Sequence, residues 1–88
     1  MKLSNKDLDK ISLQCYAIAV HHISMFYNPK MTGKNFTWEK FPEMLAEFCR
    51  NYSFLICENE KKKKAYEDHA YKTGLEIGKQ SVKWMTED

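Results

Sequence analysis

The sequence predicts an all-α fold: a small bundle of three or four helices with a long C-terminal helix, in a single domain over residues 1–88. Three observations carry that prediction. Apolar residues near the N-terminus recur at steps of three and four, the spacing of one helix face. From Glu58 to Trp84 nothing interrupts a helix except two glycines. The run Phe54-Leu55-Ile56-Cys57 has strand-like composition but no second strand to pair with, and an isolated strand leaves its backbone unsatisfied; it is read as helical.

The first helix starts at Ser4, a good N-cap, with Asp7 standing where a capping box prefers Glu or Gln and suiting the helix dipole. One apolar stripe runs Leu8, Ile11, Cys15, Ile18, His22, Phe26, and a second runs Leu13, Tyr16, Val20, Ile23. Two stripes imply contact on two sides. Asn28-Pro29 should end this helix, because the residue before proline is pushed out of the α region. Residues 28–36, with Pro29 and Gly33, have the punctuation of a loop.

Thr37 can cap a second helix, whose Trp38, Phe41, Leu45, Phe48 and Tyr52 form an aromatic stripe. Pro42 would lose a hydrogen bond and clash if it lay deep in that helix, so a short first turn through Phe41 is expected before the helix proper. Residues 51–53 are the expected stop or bend. In the third helix Glu58 with Lys62, Glu60 with Lys64, Lys63 with Glu67 and Lys64 with Asp68 are spaced i,i+4, each adding tenths of a kcal/mol.

Composition narrows the function. At 88 residues the chain has a modest core, yet 43% hydrophobic and 14% aromatic content is enough to fold one. The apolar runs fall far short of the roughly 18 residues of a transmembrane helix, and MKLSNKDLDK lacks the apolar stretch of a signal peptide. The expectation is a cytoplasmic protein with no membrane partner. Cys15, Cys49 and Cys57 form no CxxC unit and read as reduced thiols. Net charge is only +2, and thirteen of the fourteen basic residues are lysine, where phosphate and base recognition favours the arginine fork.

The stretch GLEIGKQ at residues 74–80 suggests a phosphate-binding loop and fails as one. That motif needs four residues between its glycines, then Lys and a hydroxyl residue, after a strand; here three residues separate Gly74 and Gly78, Gln80 replaces the hydroxyl, and a helix precedes. Each glycine inside a helix costs roughly 1 kcal/mol relative to alanine, so something should offset it. Ala70, Gly74 and Gly78 follow one another at i+4 and trace a groove continued by Ser81 and Val82. The groove either packs internally against Trp38, Phe41 or Phe48, or receives a partner protein or a second copy.

Lys61, Lys62, Lys63 and Lys64 could contact phosphates, with Tyr66 and Tyr71 stacking on bases. Four neighbouring acids, Glu58, Glu60, Glu67 and Asp68, cancel the run and favour a solvated helix face. No metal is expected, since no pair among Cys15, His21, His22, Cys49, Cys57 and His69 has a ligand-like i,i+3 or i,i+4 spacing. Catalysis by Cys15 or Cys49 with His22 or His69 lacks a polarising partner and an oxyanion hole; no cofactor and no enzymatic activity are expected. Twelve aromatic residues exceed what a small core hides, which points to Trp84 and the loop residue Phe36 as surface contacts.

In size, lysine bias and lack of a catalytic signature, the chain resembles the small accessory or inhibitor proteins of phages and mobile elements, such as anti-CRISPR or antirestriction proteins. The resemblance is one of type and maps no residue. The expected function is a non-enzymatic module that covers a functional surface of a larger protein through Ala70, Tyr71, Gly74, Gly78, Trp84 and Phe36. The alternatives are a nucleic-acid-binding regulator using the lysine run, and a self-assembling structural subunit such as a homodimer.

Overall fold

A computed structural model of the chain describes residues 2–26 and 38–86. Three α-helices account for most of them: α1 (Asn5–Phe26), α2 (Phe41–Tyr52) and α3 (Lys63–Thr86). Short 3-10 turns occupy Trp38–Lys40, Ser53–Leu55 and Glu60–Lys62. The all-α bundle and its long last helix agree with the sequence reading.

Local chemistry explains each boundary. The Ser4 hydroxyl accepts the Asp7 backbone N–H at 3.2 Å while the Asp7 carboxylate accepts the Ser4 N–H at 2.9 Å, a reciprocal cap with Asp in the role of Glu. The 3-10 turn at Trp38–Lys40 delivers Pro42 to the second position of α2, where its missing N–H costs nothing. Trp38 meets Phe41 edge to face across that junction, with ring centroids 5.4 Å apart. At the other end of α2 the Ser53 hydroxyl donates to the Arg50 carbonyl at 2.8 Å.

Two expectations need correction. The Phe54-to-Cys57 run is helical only as the 3-10 turn Ser53–Leu55 and then leaves the helix. The last helix does not start at Glu58. Asn59 has extended backbone and its side chain accepts the Lys61 N–H at 2.9 Å, so the N-cap lies there and the chain passes through one 3-10 turn into α3. Glu58, outside the helix, reaches Lys10 of α1 at 3.6 Å.

The core joins Ile11, Cys15 and Ala19 of α1, Phe41, Leu45 and Cys49 of α2, and Tyr66 and Ala70 of α3. Helices α1 and α3 run the same way: Asp7 meets Tyr66, and the Cys15 thiol donates to the Ala70 carbonyl at 3.7 Å. Helix α2 runs against α3, with Pro42 beside Gly78 and Cys49 beside Gly74. Of the first helix's two stripes, the one holding Ile11 and Cys15 is buried. Of the other, Ile23 packs partly against the core, while Leu13, Tyr16 and Val20 are 72%, 57% and 64% exposed.

Candidate interaction surface

The glycine groove is filled from within the chain. Gly74 and Gly78 are buried against α2, and Ala70 is buried in the core, where its carbonyl accepts the Cys15 thiol of α1. A Cβ on Gly74 would lie 2.8 Å from the Cys49 sulfur and 3.0 Å from the Ala46 Cα, and one on Gly78 would lie 2.6 Å from the Pro42 Cα. Carbon atoms in contact sit at about 3.5–4.0 Å, so only glycine lets the two backbones come this close. In the folded chain these three residues therefore have no face left for a partner. The nearest neighbours of the two glycines are Pro42, Ala46 and Cys49, not the large rings of Trp38, Phe41 or Phe48, because the helices approach too closely there to admit a ring.

The other sequence-selected residues scatter. Tyr71 is half-buried, with the Arg50 guanidinium 5.6 Å from its ring centroid, a cation–π contact that engages one face of the ring within the chain. Trp84 is 67% exposed near the end of α3. Phe36 lies outside the described residues. In the lysine run, Lys62 is bound to the Asp7 carboxylate at 2.9 Å. Lys61, Lys63 and Lys64 are exposed, but Lys61 and Lys62 belong to the 3-10 turn, so the four do not form one helix face.

Asp7 is the centre of a charged hydrogen-bond cluster between α1 and the start of the last helix. Its carboxylate caps α1 and also accepts the Tyr66 hydroxyl and the Lys62 ammonium from the start of α3. These donors, Tyr66 first, hold its pKa well below the usual carboxylate range. Burial, and then the bond to Asp7, pushes the Tyr66 hydroxyl up to about 12. The cluster pins the N-terminus of α1 to α3, with both Asp7 carboxylate oxygens engaged in doing so.

Cys15 and Cys49 meet in the core, both fully buried. The hydrogen bond to Cys15, with burial, pushes the Cys49 thiol far up, which keeps it protonated. Neither sulfur reaches solvent in the folded chain. His22 Nδ1 lies 2.9 Å from the Ile18 carbonyl on its own helix, and no cluster of three metal-ligating side chains occurs among the described residues. No helix among them is long and apolar enough to cross a membrane.

What the fold does assemble is an apolar strip across the outer side of α1. Tyr16 and Val20 line a shallow pocket of about 150 Å³ with Ile23, Ile77 and Trp84, so the α3 end of the strip joins α1 directly. On the opposite flank Leu13 borders Leu55, itself 65% exposed, in the cleft between α1 and the turn after α2. Helix α1 carries no Asp, Glu, Lys or Arg from residue 11 to residue 26. An uncharged helix with bulky apolar groups facing water resembles the core of an interface, where charged residues are depleted.

Among the described residues, Trp84 is thus the one selected from sequence that belongs to this surface. Leu13, Tyr16, Val20 and Leu55 went unselected, although the second apolar stripe and the charge-free stretch were both visible signals for the first three. No family model, curated protein or solved structure matches the chain.

Proposed function

We propose that the protein is a non-enzymatic protein-binding module whose contact surface is the outer side of α1 together with Trp84. The observation that carries this reading is the exposure of Leu13, Tyr16 and Val20, at 72%, 57% and 64%, on a helix whose opposite face is already buried. Apolar helical anchors at spacings of three and four are the usual way one helix seats on another protein. Trp and Tyr supply the large, semi-polar contact area typical of binding hot spots. The module acts by contact, through occlusion or assembly.

The reading is tested by affinity capture from a native lysate with nuclease present, comparing the wild-type chain with Leu13→Glu and Trp84→Ala. Both positions are largely exposed, so thermal stability should move by no more than about 0.5 kcal/mol. The expected result is a stoichiometric protein, nuclease-resistant on the wild type and lost from both variants. An unchanged set of bound proteins on the variants would remove this surface from consideration, and loss of all bound material to nuclease would redirect attention to the lysine run.

A further inference from the structure

Resting on the reading that α1 is a contact surface, we infer that its occupant is a second copy of this chain, with the two α1 helices packed antiparallel about a two-fold axis passing between Tyr16 and Ala17. In this register Leu13 of each copy faces Val20 of the other, and Ala17, small and exposed, lets the helices approach at the centre. The stripe is self-complementary under that rotation and needs no feature from another protein.

Charge placement selects the direction. All charged side chains of α1, namely Lys6, Asp7, Asp9 and Lys10, lie in its first six residues, and the remaining sixteen carry none. A parallel pair would place Lys6 and Lys10 of one copy level with the same residues of the other, a like-charge contact. The antiparallel pair sets each charged first turn against the uncharged C-terminal half of the other helix and opposes the two helix dipoles.

The area is sufficient. With Leu55 and Trp84 flanking the stripe at 65% and 67% exposed, the five bulky side chains present on the order of 700 Å², above the size of ordinary surface patches and near the ~800 Å² each partner gives to a standard interface. Interfaces of that size range in affinity from the micromolar to the picomolar, and the micromolar end is the weakest class to be tested.

Sedimentation equilibrium of the full chain between about 1 and 200 μM tests the inference, with concentrations set by that affinity class. The expected result is a monomer–dimer equilibrium. Leu13→Glu and Val20→Lys should each weaken it by about 100-fold or more, because each places a charge against an apolar side chain in the desolvated contact. Mixing the two variants should restore a heterodimer: one contact then pairs the introduced carboxylate with the introduced ammonium, and the other keeps native Val20 on native Leu13. In a parallel dimer the mixture gains no such pair, so failure of the mixture to associate overturns the antiparallel register. A wild-type chain that is still monomeric at about 200 μM overturns self-pairing altogether. If that monomer nevertheless captures a lysate protein that Leu13→Glu loses, the contact surface survives with a different occupant; if capture is also unaffected, both readings fall.

Discussion

Replacing Gly78 with alanine sets two physical effects against each other, and the structure predicts which wins. In a solvent-facing helix site the change would stabilise by about 1 kcal/mol, since glycine has the larger backbone entropy to lose. At Gly78 the added Cβ would sit 2.6 Å from the Pro42 Cα and 3.2 Å from its Cβ. Pro42 belongs to the rigid first turn of α2, so the neighbour is backbone and cannot rotate away. Helix α2 must move off α3 by about 1 Å, the shortfall from ordinary carbon contact, and overpacking of this kind costs typically 1–3 kcal/mol or more. The displacement also loosens the seam at Gly74, where a Cβ would meet the Cys49 sulfur at 2.8 Å and the Ala46 Cα at 3.0 Å. We expect a net loss of about 2 kcal/mol, seen as a melting temperature lower by roughly 8–16 °C for a chain of this size. Thermal and urea unfolding followed by circular dichroism measures it, with Lys79→Ala, one residue away and exposed, as the neutral control. A Gly78→Ala protein that melts higher than wild type would mean that α2 and α3 do not meet here.

The Asp7–Tyr66 contact makes stability depend on pH at both extremes. With its pKa lowered, Asp7 contributes stability that is complete above the ordinary carboxyl value near pH 4 and is lost as pH falls through the lowered native value. Tyr66, raised to about 12, contributes stability that is complete below its ordinary value near pH 10 and is lost as pH rises through the native one. Asp7→Asn should flatten the acid limb and Tyr66→Phe the alkaline limb in urea unfolding; profiles parallel to wild type would contradict the contact. Asn59→Ala should lower stability by about 1 kcal/mol through loss of the α3 cap, measured by the same unfolding, whereas no change would place the helix start elsewhere. Because Lys62 is engaged by Asp7 and the run is cancelled by acids, fluorescence anisotropy should detect no saturable duplex DNA binding between about 50 and 200 mM salt; tight binding with a steep salt slope would revive the nucleic-acid alternative.

The parts of this fold that were legible in the sequence depend on neighbouring residues. The Ser4 and Asp7 cap, the proline-set start of α2 and the long uninterrupted α3 are each decided within four or five positions. The Asn59 cap was legible too and was passed over because the i,i+4 charge pattern extends back to Glu58; in the fold both members of its first pair turn to α1, Glu58 to Lys10 and Lys62 to Asp7. The proposed contact surface was legible in half. The second stripe on α1 announced a second contact, and Trp84 announced an exposed ring, but nothing local ties residue 84 to residues 16 and 20.

The sequence by itself determined that the chain is helical, where α1 and α2 begin, and that α1 is apolar on two faces, because hydrogen bonding, capping and periodicity are short-range. Only the tertiary structure decided which face is buried and what the glycines are for. The chosen face of α1 narrows from Ile11 to Cys15 and Ala19, small enough to lie close against Ala70 of α3, while the face bearing Leu13, Tyr16 and Val20 is too bulky to fit that seam. Likewise Gly74 and Gly78 could have received any close neighbour, and the antiparallel course of α2 settled that it would be Pro42, Ala46 and Cys49. Burial of one face against a neighbour of matching depth is a property of the assembled surfaces, and it is that choice which leaves Leu13, Tyr16 and Val20 of α1 exposed.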